Sequence, residues 1–248
     1  MQNIVTTLVT ALCGALIAVA AVVVLTNAGY MPLNETQLRG YLLTHPQLVG
    51  EMNDEAQRAD DAKSAAANAA AIKKVGLDAF FNPRLAYVTG PVNAPNTMVE
   101  FYDYDCPYCR ASLPAVRKVF DQHKNDTRFA FIEYPLESIH GPGATLAAKA
   151  SLAARAQPDR FLAFHYLMMG ETEQMTEEMV MADAQKAGLD VKKLKADMAN
   201  PEVTRIVADA HDFGKKLGLV GTPTFVINGV MYPGALDDAA MAGAFKKA

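Results

Sequence analysis

The strongest constraint on this chain is one short junction. Thr97-Met98-Val99-Glu100-Phe101-Tyr102 reads as a buried strand, rich in β-branched and aromatic residues. Asp103-Tyr104-Asp105 follows, then Cys106-Pro107-Tyr108-Cys109. Beyond it Leu113, Val116, Val119 and Phe120 fall on one helical face. A C-x-x-C between a strand and a helix is the setting of a redox pair. The thiolate is the nucleophile of disulfide exchange, and a helix N-terminus offers it unpaired N–H groups and the positive end of the helix dipole. Cys106 is therefore the expected exposed attacker with a lowered pKa. Cys109, one turn further in, is the sulphur that releases a bound substrate. Pro107 suits the first helical position because it has no N–H to lose. Asp103 and Asp105 place negative charge against this trend, and Arg110 supports it.

Cysteine usage narrows the chemistry. Of 248 residues only Cys13, Cys106 and Cys109 are cysteines, too few for a disulfide scaffold. A structural zinc site needs two further ligands, and a c-type haem site needs histidine where Arg110 stands. No metal and no cofactor is called for. The two thiolates suit Cu(I), so a copper-binding protein is the competing reading. With 51% apolar and 20% charged residues a packed core is expected, and a net charge of −4 without a long basic run argues against nucleic acid.

Ile4 to Thr26 carries no charge, enough to cross a bilayer that needs about 20 residues. Residues 1–28 read as an uncleaved membrane anchor, with a cleaved signal as the alternative, since Met1-Gln2-Asn3 lacks the basic start of a signal peptide. Cys13 is a buried apolar cysteine of that helix. Residues 29–82 read as a helical stalk. Asn34-Glu35-Thr36-Gln37 has the form of a capping box, Pro46 restarts the helix, and one long helix is expected to about Phe81. Leu38, Tyr41, Leu42, Leu48, Val49 and Met52 form an apolar cluster that needs a partner surface. Self-association through residues 34–81 and packing on the chain's own domain are both open.

Near the C-terminus, Gly221-Thr222-Pro223 precedes the strand Thr224-Phe225-Val226-Ile227, and Asn228-Gly229 is a hairpin turn into Val230-Met231-Tyr232. Helices are expected over Ala144–Arg155, Arg160–Met169, Thr176–Ala187, Val191–Met198, Glu202–Leu217 and Asp237–Lys247, and a short strand over Leu85–Val88. His140, in a Gly-Pro-Gly loop, reads as an ordinary surface residue.

Together, V-E-F-Y-D-Y-D-C-P-Y-C, G-T-P-T-F-V-I-N-G and Tyr232-Pro233-Gly234-Ala235 resemble the DsbA family of thioredoxin-fold proteins, from about residue 85 onward. The resemblance implies an α/β thioredoxin-like fold over 83–248 with an inserted helical domain at about 138–218. It implies that Thr222-Pro223 is a cis-proline loop that binds extended substrate backbone. It also implies that Glu100 is the acidic residue beneath the site, and that Pro107 and Tyr108 complete the motif. Tyr41-Leu42-Leu43-Thr44-His45-Pro46-Gln47-Leu48 is similar to the N-terminal extension of the ScsC-like branch, some of whose members are trimers. The implied activity is disulfide oxidation, isomerisation or reduction on extracytoplasmic proteins, with a membrane redox partner.

Overall fold

The computed structural model describes residues 34–246. The expected membrane anchor and Cys13 lie outside the described residues. Among those described, no helix is long and apolar enough to cross a membrane. The chain divides into two units, residues 1–61 and 62–248.

In the first unit, helix α1 (Glu35–Thr44) opens with the capping box expected from sequence. The Asn34 side chain accepts from the Gln37 amide at 2.8 Å, and the Asn34 amide donates back to the Gln37 side chain at 3.1 Å. Helix α2 spans Gln47–Val75, and its residues from Ala62 onward belong to the second unit. Pro46 separates the two, having no N–H to continue α1. Leu38, Tyr41, Leu43, Val49 and Met52 are all exposed. The long helix does not reach Phe81. It stops at Gly76, whose φ of +84° is a left-handed conformation that glycine adopts without a Cβ penalty. A 3-10 turn over Leu77–Phe81 follows.

The second unit is built on a five-stranded sheet of order β1-β3-β2-β4-β5. The strands are β1 (Ala86–Thr89), β2 (Asn96–Tyr102), β3 (Thr127–Glu133), β4 (Thr224–Ile227) and β5 (Val230–Pro233). β2 and β3 run parallel, and every other pairing is antiparallel. Parallel neighbours need a crossover, and helix α3 (Pro107–His123) supplies it. Six helices lie between β3 and β4: α4 (Glu137–His140), α5 (Pro142–Ala154), α6 (Pro158–Gly170), α7 (Glu177–Lys186), α8 (Val191–Met198) and α9 (Pro201–Leu217). Helix α10 (Asp238–Lys246) closes the described chain. The Asn228-Gly229 turn has φ of +49° and +81°, which fits the two-residue hairpin between β4 and β5.

Alternation along the central strands assigns the two cores. Met98, Tyr102, Phe129, Phe131, Phe225 and Ile227 face α3, α5, α6 and α10. Val99, Phe101, Ala130, Ile132 and Val226 face Ile72, Phe80, Phe81 and α9. Strand β3 is the one sheet element the sequence reading did not anticipate. Its signal is the run Thr127-Arg128-Phe129-Ala130-Phe131-Ile132, short enough to be overlooked between α3 and Pro135. The fold is the thioredoxin-like α/β sheet with inserted helices.

Phe80 is fully buried, with its ring 6.1 Å from Phe101 and 5.1 Å from Phe213 in edge-on contacts. Denaturant unfolding of Phe80→Ala is expected to show a loss of about 3–5 kcal/mol. The exposed Val92→Ala should change stability by no more than about 0.5 kcal/mol.

Candidate active site

The site forms where β2 ends and α3 begins. Cys106 is the N-cap of α3 with extended backbone (φ −78°, ψ 118°), and Pro107 takes the first helical position. The amides of the first turn have no helical partner and point back at the Cys106 sulphur. The Cys106 thiol is held down to about pKa 5. The largest cause is the Cys109 thiol, which donates to the thiolate. The Thr222 side chain and the amides of Cys109 and Tyr108 add to it, against the opposing effect of burial. Thr222 Oγ1 is buried and has no other partner, so it can turn to the anion. In the thiol form Cys106 Sγ donates to the Thr222 carbonyl at 3.2 Å.

Cys106 is not the exposed sulphur expected from sequence. It is 2% exposed, whereas neighbouring Tyr108 is 64% exposed. The donors that stabilise the anion also cover it, because a hydrogen bond to sulphur needs contact. The cover is shallow, and Cys109 lies deeper. Burial, the Cys106 sulphur and the Glu100 carboxylate all push the Cys109 pKa well up. The two sulphurs are thus chemically unlike although three residues apart.

Thr222 and Pro223 come to the cysteines from the other end of the chain. Their peptide bond is cis, and the Pro223 carbonyl accepts from the Gly234 amide at 2.8 Å. Cys106, Cys109, Thr222 and Glu100 are brought into one cluster. Glu100 points into the core at 3% exposure, and its carboxyl is raised to about 8 by burial and then by Glu133.

The sequence reading did not single out the polar groups around Glu133. Glu133 accepts from the Tyr102 hydroxyl. The Tyr104 hydroxyl bonds Ser151 and His165 Nδ1, each at 2.9 Å. Burial raises Glu133 to about 8, with Arg155 opposing, and lowers His165 to about 3. Burial likewise lowers Arg155 from its usual range. A glutamate closing an apolar run, as in Phe129-Ala130-Phe131-Ile132-Glu133, is the one sequence sign of this network.

His140 also departs from its expectation. It is not a surface residue: its side chain is 14% exposed and its Nδ1 donates to the Asp103 carboxylate at 2.7 Å. Asp103 and Asp105 are engaged rather than loose negative charges. Asp105 accepts from the Met175 amide at 2.8 Å and from Arg110 at 3.0 Å. Burial still raises the Asp105 carboxyl. Among the described residues no group of three or more His, Cys, Asp or Glu side chains is arranged to hold a metal ion.

Two pH dependences follow. Alkylation of Cys106 in the reduced protein should rise with its thiolate fraction, with a midpoint near pH 5. Glu100 keeps its proton to about pH 8 when folded but loses it near 4.5 when unfolded. Folded-state stability from this group is therefore complete below pH 4.5 and falls as pH rises toward 8. Glu100→Gln removes that loss. It should stabilise the fold by roughly 3 kcal/mol at pH 7 and by nothing at pH 4, measured by urea unfolding.

The sequence profile of the thioredoxin family matches residues 85–247. The Na(+)/H(+) antiporter NhaA 3 of Salinispora tropica is 30% identical over 167 residues, 67% of this chain but 25% of that protein. The chain thus spans about a quarter of the length of that relative. Disulfide bond formation protein D of Bacillus subtilis is 31% identical over 152 residues, 57% of this chain and 67% of that one. The crystal structure of a thioredoxin-like oxidoreductase from Silicibacter pomeroyi is 36% identical, covers 69% of this chain and 96% of its own, and gives a TM-score of 0.62. The catalytic domain of Proteus mirabilis ScsC shares the fold at 24% identity, with 72% and 97% coverage and a TM-score of 0.63. The chain belongs to the thioredoxin family.

Proposed function

We propose that the chain carries out thiol–disulfide exchange on extracytoplasmic proteins through Cys106 and Cys109. The observation that carries this is the asymmetry of the pair: a thiolate stabilised at a helix N-terminus, and a neutral thiol one turn deeper. Cys106 attacks a substrate disulfide, or is the sulphur that a substrate thiolate attacks. Cys109 closes or opens the internal disulfide. Pro107 and Tyr108 shape the turn between them. Glu100 takes up or returns the Cys109 proton, which its position in the core and its raised pKa favour.

Thr222 and Pro223 receive the substrate backbone beside Cys106, by the β-type hydrogen bonding of an extended chain. Tyr108, Ile139 and Val220 are exposed apolar side chains close in sequence to Cys106, His140 and Thr222. They suit clients whose own apolar residues are uncovered, as in proteins still acquiring their disulfides. The potential of the pair and its redox partner in the membrane set oxidation, isomerisation or reduction. An extracytoplasmic location fits the apolar residues 4–26 and the periplasmic thioredoxin-like protein of Salmonella enterica, 26% identical with a TM-score of 0.58. Residues 34–81 serve self-association, as a trimer, since Leu38, Tyr41, Leu43, Val49 and Met52 present apolar area to solvent. The copper reading uses the same two sulphurs and gains no third ligand among the described residues.

Single-cysteine variants test the assignment. With Cys109→Ser, an unfolded client carrying one activated mixed disulfide should become linked to Cys106 as the activating thiol leaves, in an adduct that survives acid quenching. With Cys106→Ser no adduct should form. An adduct at Cys109 in the second variant contradicts the assigned roles. For the stalk, Leu43→Lys with Val49→Lys should lower the light-scattering mass of the full chain to that of one protomer. A wild-type mass already equal to one protomer removes the oligomer.

A further inference from the structure

Asp103 touches both cysteines through its backbone. Its carbonyl accepts from the Cys106 amide at 3.2 Å, and its backbone N–H favours the Cys109 anion. Its side chain is buried and accepts from three donors. Oδ1 accepts from the Asp105 amide at 2.9 Å, and Oδ2 from the Leu136 amide and His140 Nδ1, both at 2.7 Å. Two of the three donors are backbone groups, present whatever the sequence. His140 is the one side-chain donor on Asp103 among the described residues.

His140 is itself held. Gln174 Nε2 donates to its carbonyl at 2.7 Å, and the Gly141 amide closes the turn on Glu137 at 2.9 Å. Arg110, in the first turns of α3, donates to the Thr172 and Glu173 carbonyls and to Asp105. The loops around 103–105, 136–141 and 172–175 are therefore tied together by two carboxylates and three side-chain donors. In this arrangement His140 links the segment after β3 to the backbone that faces the redox sulphurs.

We propose that His140 is a positioning residue for the exchange reaction: its Nδ1–H fixes the Asp103 carboxylate and with it the backbone that binds the Cys106 amide and flanks Cys109. The proposal rests on the exchange reading of Cys106 and Cys109. In the reducing direction the Cys109 thiolate attacks Cys106 Sγ of the mixed disulfide. The Cys106–Cys109 bond forms, the Cys106–substrate bond breaks, and the substrate sulphur leaves as a thiolate that takes a proton. The client disulfide gains two electrons and the cysteine pair loses them. In the oxidising direction a client thiolate attacks Cys106 Sγ of the internal disulfide and Cys109 leaves as the thiolate. Both directions pass through Cys109 as an anion in a buried site, where a fixed N–H donor counts most. Attack by Cys106 does not need that donor, because its own anion is stabilised from the first turn of α3, from Cys109 and from Thr222.

The test separates the two steps. Reduced full-length protein is mixed with oxidised glutathione, quenched with acid, and weighed intact to count reduced protein, the Cys106–glutathione adduct and the internal disulfide. In His140→Ala the bimolecular formation of the adduct should match wild type, while its resolution slows by about fivefold, so the adduct accumulates. His140→Asn places an amide donor where Nδ1 was and should restore resolution. If the Ala protein does not fold, His140→Gln, whose donor lies further along the chain, takes its place with the same expected slowing. Resolution at the wild-type rate in the Ala or Gln protein overturns the proposal, as does an Asn protein that stays slow while melting normally. Wild-type protein that forms no internal disulfide at all would instead overturn the exchange reading beneath it.

Discussion

The structure depends on keeping one sulphur anionic within a few ångströms of another that stays protonated. The helix N-terminus accomplishes the first half. Cys106 sits at the N-cap of α3, where amides lacking helical partners and the Cys109 thiol converge, and its pKa falls to about 5. Depth accomplishes the second half. Cys109 lies one turn further into the core, where burial and nearby negative charge disfavour its anion. Much of the surrounding architecture serves to hold this contrast: β2 delivers the loop, α3 supplies the amides, and β4 brings Thr222 against Cys106.

Charge beneath the pair extends the same logic. Glu100 and Glu133 lie on adjacent central strands, both buried and both raised to about 8. Glu133 raises the Glu100 carboxyl, and two neighbouring buried carboxylates do not both ionise at neutral pH. Arg155 favours the Glu133 anion, which leaves the proton with Glu100, next to Cys109. The core therefore carries a proton where the exchange reaction needs one to move. That arrangement costs stability, since a buried polar cluster replaces apolar packing on the face shared by Met98 and Phe131.

Much of this was legible in the sequence because the junction at Cys106 is local. Strand, turn, proline and helix follow one another within a few residues, and each has its own composition signature. The capping box at Asn34 and the hairpin at Asn228-Gly229 were readable for the same reason. What escaped the sequence is long-range. His140 looks like a loop residue until the fold brings Asp103, 37 positions earlier, to its Nδ1. The covering of Cys106 depends on Thr222, 116 positions away. Gly76 ends α2 through a backbone conformation that periodicity does not reveal. Strand β3 was missed because seven residues between two helical stretches offer little pattern to weigh.

The most direct test is a redox titration of the full-length protein in glutathione buffers, with free thiols trapped by alkylation and counted by intact mass. A stabilised Cys106 thiolate favours the reduced pair, so the disulfide should be the more oxidising for it. The account predicts a reversible Cys106–Cys109 disulfide with a potential well above the value of about −270 mV typical of thioredoxin. A pair that never closes, or that closes only at or below that value, would contradict it.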